Sequence, residues 1–206
     1  MSPSVALDGR ALGRRGARTR RRLLDATGEL LETRGLRDLR VVDIARAAGT
    51  SPATFYQYFR AVEDAVLVLA EEAAEDLGAV IAGLDEPWSD ASSRRMVEAF
   101  VDSWGEHRAV LRTRNLAAQE GDQRFRAVRN ASLRPITEAL AAKITEAQRA
   151  GRVDAQMSAI AAASAMVSMT ERVAAFHREI EDLGVTHEAL VETTARIIDQ
   201  TATGPS

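Results

Sequence analysis

Residues 41 to 59, VVDIARAAGTSPATFYQYF, constrain the fold more than any other stretch. Ile44, Ala45 and Ala48 fall at i, i+1 and i+4, one face of a helix of period 3.6 that can pack against a neighbour. Gly49 follows the last periodic residue, where a left-handed backbone favours a residue without a Cβ. Ser51 then offers an N-cap hydroxyl, and Pro52 a first helical residue with its φ preset. The second helix starts at Pro52, anchors itself through Phe55 and Phe59 at i, i+4, leaves small Ala53 and Thr54 at its exposed start, and adds Tyr56 and Tyr58. Two short helices joined by so tight a turn predict a helix-turn-helix, which lays its second helix in the major groove of DNA.

The charge distribution agrees with that placement. The formal net charge is -3, yet residues 1 to 60 carry 12 Arg against 6 Asp and Glu, while the remainder carries 15 Lys and Arg against 24 acidic residues. Only Lys143 stands beside 26 arginines, so arginine content alone says little and its position says more. A chain of 206 residues with 46% hydrophobic content can bury a sizeable core in one or two domains. The absence of cysteine excludes disulfides, thiolate metal sites and cysteine nucleophiles, and suits a reducing cytoplasm. No apolar run approaches the roughly 18 residues that span a bilayer, and the arginine-bearing N-terminus lacks the apolar core of a signal peptide. A cytoplasmic protein without a membrane partner is expected.

In chain order, residues 1 to 16 read as a disordered basic arm in which Arg10, Arg14 and Arg15 act as a phosphate tether or minor-groove probe, or simply as a solvated tail. A first helix follows over 17 to 34, with Leu23, Thr27, Leu30, Leu31 and Arg34 on one face and Gly35 as the stop. Arg18, Arg20, Arg21 and Arg22 load its first turns with charge that opposes the helix dipole, which points to an external anion such as phosphate, or to plain solvation. A fourth helix is expected over 62 to 84, opened by Glu63 and Asp64, with a break at 83 to 89 containing Pro87. Ser89 would cap a fifth helix carrying Met96, Val97, Phe100 and Trp104 and ended by Gly105, with a sixth over 106 to 116. A seventh spans 122 to 150, kinked or broken at 133 to 135 by Pro135 and stopped by Gly151. The eighth, over 154 to 179, is rich in alanine and serine, which lets helix axes approach closely. Thr186 caps a ninth reaching residue 201, with Leu190, Val191, Thr194, Ile197 and Ile198 as its stripe and a disordered tail at 202 to 206. The last two helices either bury their stripes internally or pair with a second copy in a four-helix bundle; a homodimer through helices 8 and 9 is the expectation.

Trp88, Met96, Phe100, Trp104, Met166, Met169, Thr170, Val173 and Phe176 form the candidate ligand-binding set, an elongated apolar pocket suited to a hydrophobic or amphipathic small molecule, with plain core packing as the competing explanation. His107, His177 and His187 have glutamates nearby, but no HExxH spacing and no glycine-rich phosphate loop accompanies them. No catalytic residue, metal site or cofactor is expected.

Residues 19 to 69, TRRRLLDATGELLETRGLRDLRVVDIARAAG through TSPATFYQYFRAVEDAVLVL, resemble the N-terminal domain of the TetR/AcrR family of one-component transcriptional regulators. The resemblance covers about a quarter of the chain and rests on the capped turn, the TFYxYF helix and the acidic start of the next helix. GEHRAVLRT at 105 to 113 and MVSMTER at 166 to 172 are similar to stretches of the ethionamide-resistance repressor branch. The family implies an all-α homodimer of about nine helices per subunit: a three-helix helix-turn-helix domain, here 17 to 60, and a helical effector-binding and dimerisation domain, here 61 to 201. Carried over by position, Ser51, Pro52, Ala53 and Thr54 would face base edges and Tyr56 and Tyr58 would reach phosphates; Arg18, Arg40, Thr50 and Arg60 complete the candidate DNA-binding set. Two positions depart from the pattern. Arg40 stands where many members have a capping threonine, so the cap is lost while a longer phosphate contact becomes available. Val62 stands where members usually have a phosphate-gripping lysine, and Arg60 is the candidate to replace it. The resemblance implies a repressor that binds a palindromic operator in double-stranded DNA and is released by a small-molecule effector of unknown identity. The alternative is a DNA-binding regulator controlled by a protein partner or by abundance.

Overall fold

The computed structural model describes residues 12–82 and 90–204, and among them the chain is all-α. The helices are α1 (Arg14–Leu31), α2 (Val41–Ala47), α3 (Pro52–Phe55), α4 (Val62–Ala82), α5 (Asp90–Gln119), α6 (Gln123–Arg149), α7 (Ala159–Ala175), α8 (His177–Glu181) and α9 (His187–Thr203), with a 3-10 turn at Leu36–Asp38. None of them is long and apolar enough to cross a membrane. The expected break at 83 to 89, with Pro87, Trp88 and the Ser89 cap, lies outside the described residues, as does most of the N-terminal arm.

Two compact units share the chain, one formed by residues up to Ala73 with Arg108–Val128, the other by Ala74–His107 with Arg129–Ser206. Helices α4, α5 and α6 therefore each contribute to both. The first unit closes over Leu23, Leu24 and Leu31 of α1, Ile44 of α2, Phe55 and Phe59 around α3, Val62 and Val66 of α4, and Phe125 at the start of α6. Thr27 lies on the same buried face of α1, and its hydroxyl donates to the Leu23 carbonyl at 2.7 Å, so no polar group is stranded. In the second unit Met96, Phe100, Ile136, Leu140, Ile144, Val167, Val191 and Ile198 are buried.

Nine helices among the described residues match the expectation, but they divide differently. α1 starts at Arg14 rather than residue 17, so Arg14 and Arg15 belong to a helix. The expected division near Gly105 falls two residues later: Asp90–Gln119 is two helical stretches that meet at a kink at His107, with φ -117° and ψ 22°. Gly105 itself stays helical, since a glycine on an exposed helical face costs only about 1 kcal/mol. The expected break at Pro135 is also absent, since α6 continues from Gln123 to Arg149. Pro135 is exposed, so water can take the carbonyl bond it forfeits, while Ile136, Leu140 and Ile144 bury the opposite side. The helix expected from 154 starts at Ala159, because residues 154–158 are held in turns. The Asp154 carboxylate accepts from the Gln156 N–H at 2.8 Å, and the Gln148 side chain donates to the carbonyls of Asp154 and Met157 at 2.8 and 2.7 Å. Near its other end, Phe176 (φ -118°, ψ 19°) separates α7 from α8. Thr186 does cap α9, accepting from the Ala189 N–H at 3.1 Å. That helix runs past residue 201 to Thr203, whose carbonyl accepts from Arg152 at 2.9 Å. Ile197, counted in the α9 stripe, is 44% exposed, whereas Leu190, Val191, Thr194 and Ile198 are buried.

Candidate nucleic-acid interface

The turn between α2 and α3 is fixed by local chemistry. Ala48 ends α2, Gly49 takes φ 60°, the Gly49 N–H donates to the Arg46 carbonyl at 3.0 Å and the Thr50 N–H to the Ala45 carbonyl at 2.8 Å. That is a full Schellman closure. Ser51 then caps α3: its Oγ accepts from the Thr54 N–H at 3.2 Å and lies 3.0 Å from the Thr54 hydroxyl, with Pro52 in the first helical position. α3 is only four residues long, extended by backbone bonds from Tyr58 and Phe59 back to the Phe55 carbonyl at 2.9 and 3.0 Å. Phe55 and Phe59 anchor the segment from beneath, both buried, with ring centroids 5.4 Å apart.

Anchoring from below leaves the upper surface free. Ser51, Pro52 and Ala53 are exposed, and Thr50 and Thr54 are half-buried. Tyr56 is 54% exposed and stands edge-on to Phe55 at 5.8 Å. Tyr58 is half-buried, and its hydroxyl lies 3.6 Å from the place a Cβ would occupy at Gly16, which puts the phenol beside the first turn of α1. That end of α1 has no side-chain cap and no acidic residue in its first turn, and Arg14, Arg15 and Arg18 are exposed on it. Arg40 is exposed at the N-cap of α2 and makes no capping bond. Arg60 is exposed, with its backbone N–H bonded to Asp64 at 3.0 Å. Val62 is buried in the core of the first unit, so nothing at that position reaches outward.

The arginines of α1 divide into two groups. Arg18 is exposed and has no partner among the described residues, whereas the next three arginines are engaged within the first unit. Arg20 lies over the Phe59 ring at 5.3 Å, and Arg21 pairs with Asp25 at 2.7 Å and Glu72 at 2.8 Å. Arg22 donates to the Ala48 carbonyl, and to that of Gly49 at 3.1 Å. Burial opposes the charge on Arg21, but its bonds to Glu72 and Asp25 outweigh that and hold its pKa above the ordinary value. An external anion is thus unnecessary to explain Arg20, Arg21 and Arg22. Consecutive helix positions point in three directions, a signal present in the sequence but without meaning until the partners are known.

The candidate ligand residues also separate. Met96, Phe100, Trp104, Met166 and Thr170 are buried in the second unit, where the Thr170 hydroxyl is spent on the Met166 carbonyl at 2.8 Å. Met169 and Val173 are half-buried, and Phe176 is 38% exposed beneath the Arg172 guanidinium, 3.7 Å from its ring centroid. Trp88 lies outside the described residues. Beside the buried set, Glu171 is paired with Arg129, a charged pair the sequence did not announce. Two hollows, of about 340 and about 580 Å³, are lined by other residues, the first around Arg94, Glu192 and Asp199, the second around Leu36, Leu116 and Phe125. The histidines have separate surroundings: His107 stands 3.3 Å from Asp76, His177 bonds the Ala174 carbonyl at 2.7 Å, and His187 meets Glu181 at 3.2 Å.

A capped, four-residue helix presented outward over an aromatic anchor, with cations around it, defines a helix-turn-helix reader of DNA. Comparison with known proteins gives the family. A profile described as "Bacterial regulatory proteins, tetR family" matches residues 23–64, and one described as "Tetracyclin repressor-like, C-terminal domain" matches residues 82–206, more than half of the chain. The HTH-type transcriptional regulator EthR of Mycolicibacterium smegmatis is 31% identical over 193 residues, covering 90% of this chain and 88% of that protein. EthR of Mycobacterium tuberculosis is 36% identical over 109 residues, 48% of this chain, so the match spans half the length of that relative. Among solved structures, the regulator FadR of Bacillus subtilis in complex with stearoyl-CoA has a TM-score of 0.66 at 15% identity, covering 90% of this chain and 99% of its own, a likeness of fold. The chain belongs to the TetR family of bacterial transcriptional regulators. The relatives are described as HTH-type transcriptional regulators.

Proposed function

We propose that this protein is a cytoplasmic repressor that binds a palindromic operator as a homodimer and is released by a hydrophobic or amphipathic small molecule. The observation that carries the DNA half is the exposed face of α3: Ser51, Pro52 and Ala53 have small or short side chains, so the segment can approach base edges closely, and the Ala53 or Thr54 methyl can meet a thymine methyl. Arg18, Arg40, Tyr56, Tyr58 and Arg60 surround it as phosphate contacts, which fix register without reading sequence. Dimerisation through α7 and α9 is supported by Ile160, Ala161, Ser164, Ala165 and Ser168 on one exposed side of α7, and by exposed Ile197 on α9.

Release follows a population shift. Effector enters among Met96, Phe100, Trp104 and Met166 of the second unit, and selects a subunit geometry in which α4, a member of both units, has moved the first unit. A preference of about 1–3 kcal/mol for that state weakens operator binding roughly 5–150-fold. Methionine and aromatic side chains adapt to a bulky apolar guest, and FadR of B. subtilis, a protein of this fold, takes stearoyl-CoA. The test is a screen of acyl and aromatic compounds for a thermal shift coupled to loss of binding to a DNA duplex selected by the protein itself. Compounds that stabilise the protein yet leave DNA binding unchanged would contradict the release mechanism. A protein that releases DNA with no compound, only with a partner protein or by dilution, would favour the effector-free alternative.

A further inference from the structure

Arg22 sends its guanidinium from α1 to the end of α2. Its Nη2 donates to the carbonyl of Ala48, the C-cap, and to that of Gly49 at 3.1 Å. These carbonyls lie at the negative end of α2, and a guanidinium with five N–H groups and a fixed charge suits that position. The approach is close: a Cβ at Gly49 would stand 2.7 Å from Arg22 Nη2, so a side chain there would displace the guanidinium. Glycine itself is favoured by the φ of 60°. Two residues after Gly49 the Ser51 cap starts α3, so whatever holds the turn sets where the reading segment emerges from α1. At the far end of that segment Arg20 lies over Phe59, two positions from Arg22 on the same helix.

We propose that Arg22 is a positioning residue for DNA recognition: it clamps the α2–α3 turn to α1, orients Ser51 to Thr54 toward the bases, and touches no phosphate. The inference rests on α3 being the DNA reader. It makes Arg22 different in kind from Arg18, a neighbour in sequence that the charge pattern alone would treat identically.

The full-length chain, its Arg22→Ala and Arg22→Gln variants, and Arg18→Ala as the phosphate-contact control are titrated over a salt series with two duplexes, one selected from random sequence by the wild-type protein and one unrelated. Helical circular dichroism confirms folding at the assay temperature. Arg22→Ala should lose roughly tenfold on the selected duplex, comparable to misplacing about one base contact, with little change on the unrelated duplex and an unaltered slope of log K against log salt. Arg22→Gln, uncharged but still able to donate to a carbonyl, should keep more of the selected-duplex affinity at the same slope. Arg18→Ala should lower affinity for both duplexes and reduce the slope by about 0.9 for each phosphate released. A reduced slope in the Arg22 variants, with equal loss on both duplexes, would make Arg22 a phosphate contact and overturn the proposal, as would unchanged affinity. If Arg22→Ala does not fold, the slope and the duplex preference of Arg22→Gln decide. Failure of the wild-type protein to select any duplex would instead remove the DNA reading on which the proposal stands.

Discussion

At the scale of single residues, the DNA-facing segment depends on a few small polar groups whose loss has a definite cost. Ser51 satisfies the Thr54 N–H, so Ser51→Ala should destabilise the protein by about 1 kcal/mol, read as a lower denaturation midpoint at unchanged slope. Arg60 tests the departure at Val62. With Val62 buried, Arg60, exposed two residues earlier in the chain, is the candidate replacement, and Arg60→Ala should reduce the salt slope of operator binding by about 0.9 for each phosphate it no longer neutralises, whereas an unchanged slope would reject it as a phosphate-binding residue. Ser51, Pro52, Gly49 and the Phe55–Phe59 anchor were legible in the sequence because caps and i, i+4 pairs act within a few residues. The roles of Arg20, Arg21 and Arg22 were not, because their partners at Phe59, Glu72 and Ala48 lie far along the chain and no local rule names them.

At the scale of elements, helix boundaries follow tertiary burial wherever it exceeds a local preference. Pro135 is a strong sequence signal, yet it sits on an exposed face, and helix continues through it because Ile136, Leu140 and Ile144 are buried on the other side. His107 and Phe176, where the backbone does leave helical geometry, carry no breaker signature at all. Capping still acts where it is local. Asp122 opens α6, and its carboxyl is held below its ordinary pKa chiefly by the Arg124 guanidinium, which outweighs the desolvation opposing it, with help from the Arg124 N–H at 2.9 Å. A depressed carboxyl stabilises the fold fully above its unfolded pKa and loses that contribution as pH falls through the folded value. Asp122→Ala should therefore cost about 1 kcal/mol at neutral pH, and denaturation at successively lower pH should show that difference shrinking below the ordinary carboxylate range. The end of α9 gives a second expectation. Gly204 has φ 87°, and a Cβ there would lie 2.3 Å from the Arg152 carbonyl oxygen. Gly204→Ala should displace the docked end of α9 and lower stability by about 1–3 kcal/mol, measured in a melt; an unchanged melting temperature would mean that this docking does not hold in solution.

At the scale of the whole molecule, the exposed faces of α7 and α9 and the reading surface of α3 serve one proposal. One copy of the reading segment offers about four residues, Ser51 to Thr54, to the bases, a short stretch for selecting a site among many. A second copy, fixed by subunit pairing, doubles the information and adds a spacing requirement, since two recognition helices must enter major grooves about 34–36 Å apart or at multiples of that turn. The same requirement makes such a pair sensitive to small changes in subunit geometry, which is the basis of the release mechanism proposed above. Replacing Ile197 with Glu should weaken subunit pairing and operator affinity together while leaving the folded monomer intact, because Ile197 is already 44% exposed within one chain. Sedimentation and DNA titration on the same sample would show whether the two losses coincide.

The most direct measurement is selection of duplexes from random sequence by the full-length protein, followed by footprinting and the stoichiometry of the purified complex. The expected result is a site with two-fold symmetry, protected half-sites centred about 10 base pairs, or a multiple of that turn, apart, an even number of chains bound, and loss of the selected sequence when Ala53 is replaced by a bulkier residue. An asymmetric site protected by a single chain, or a selected sequence unaffected by changes on α3, would contradict it.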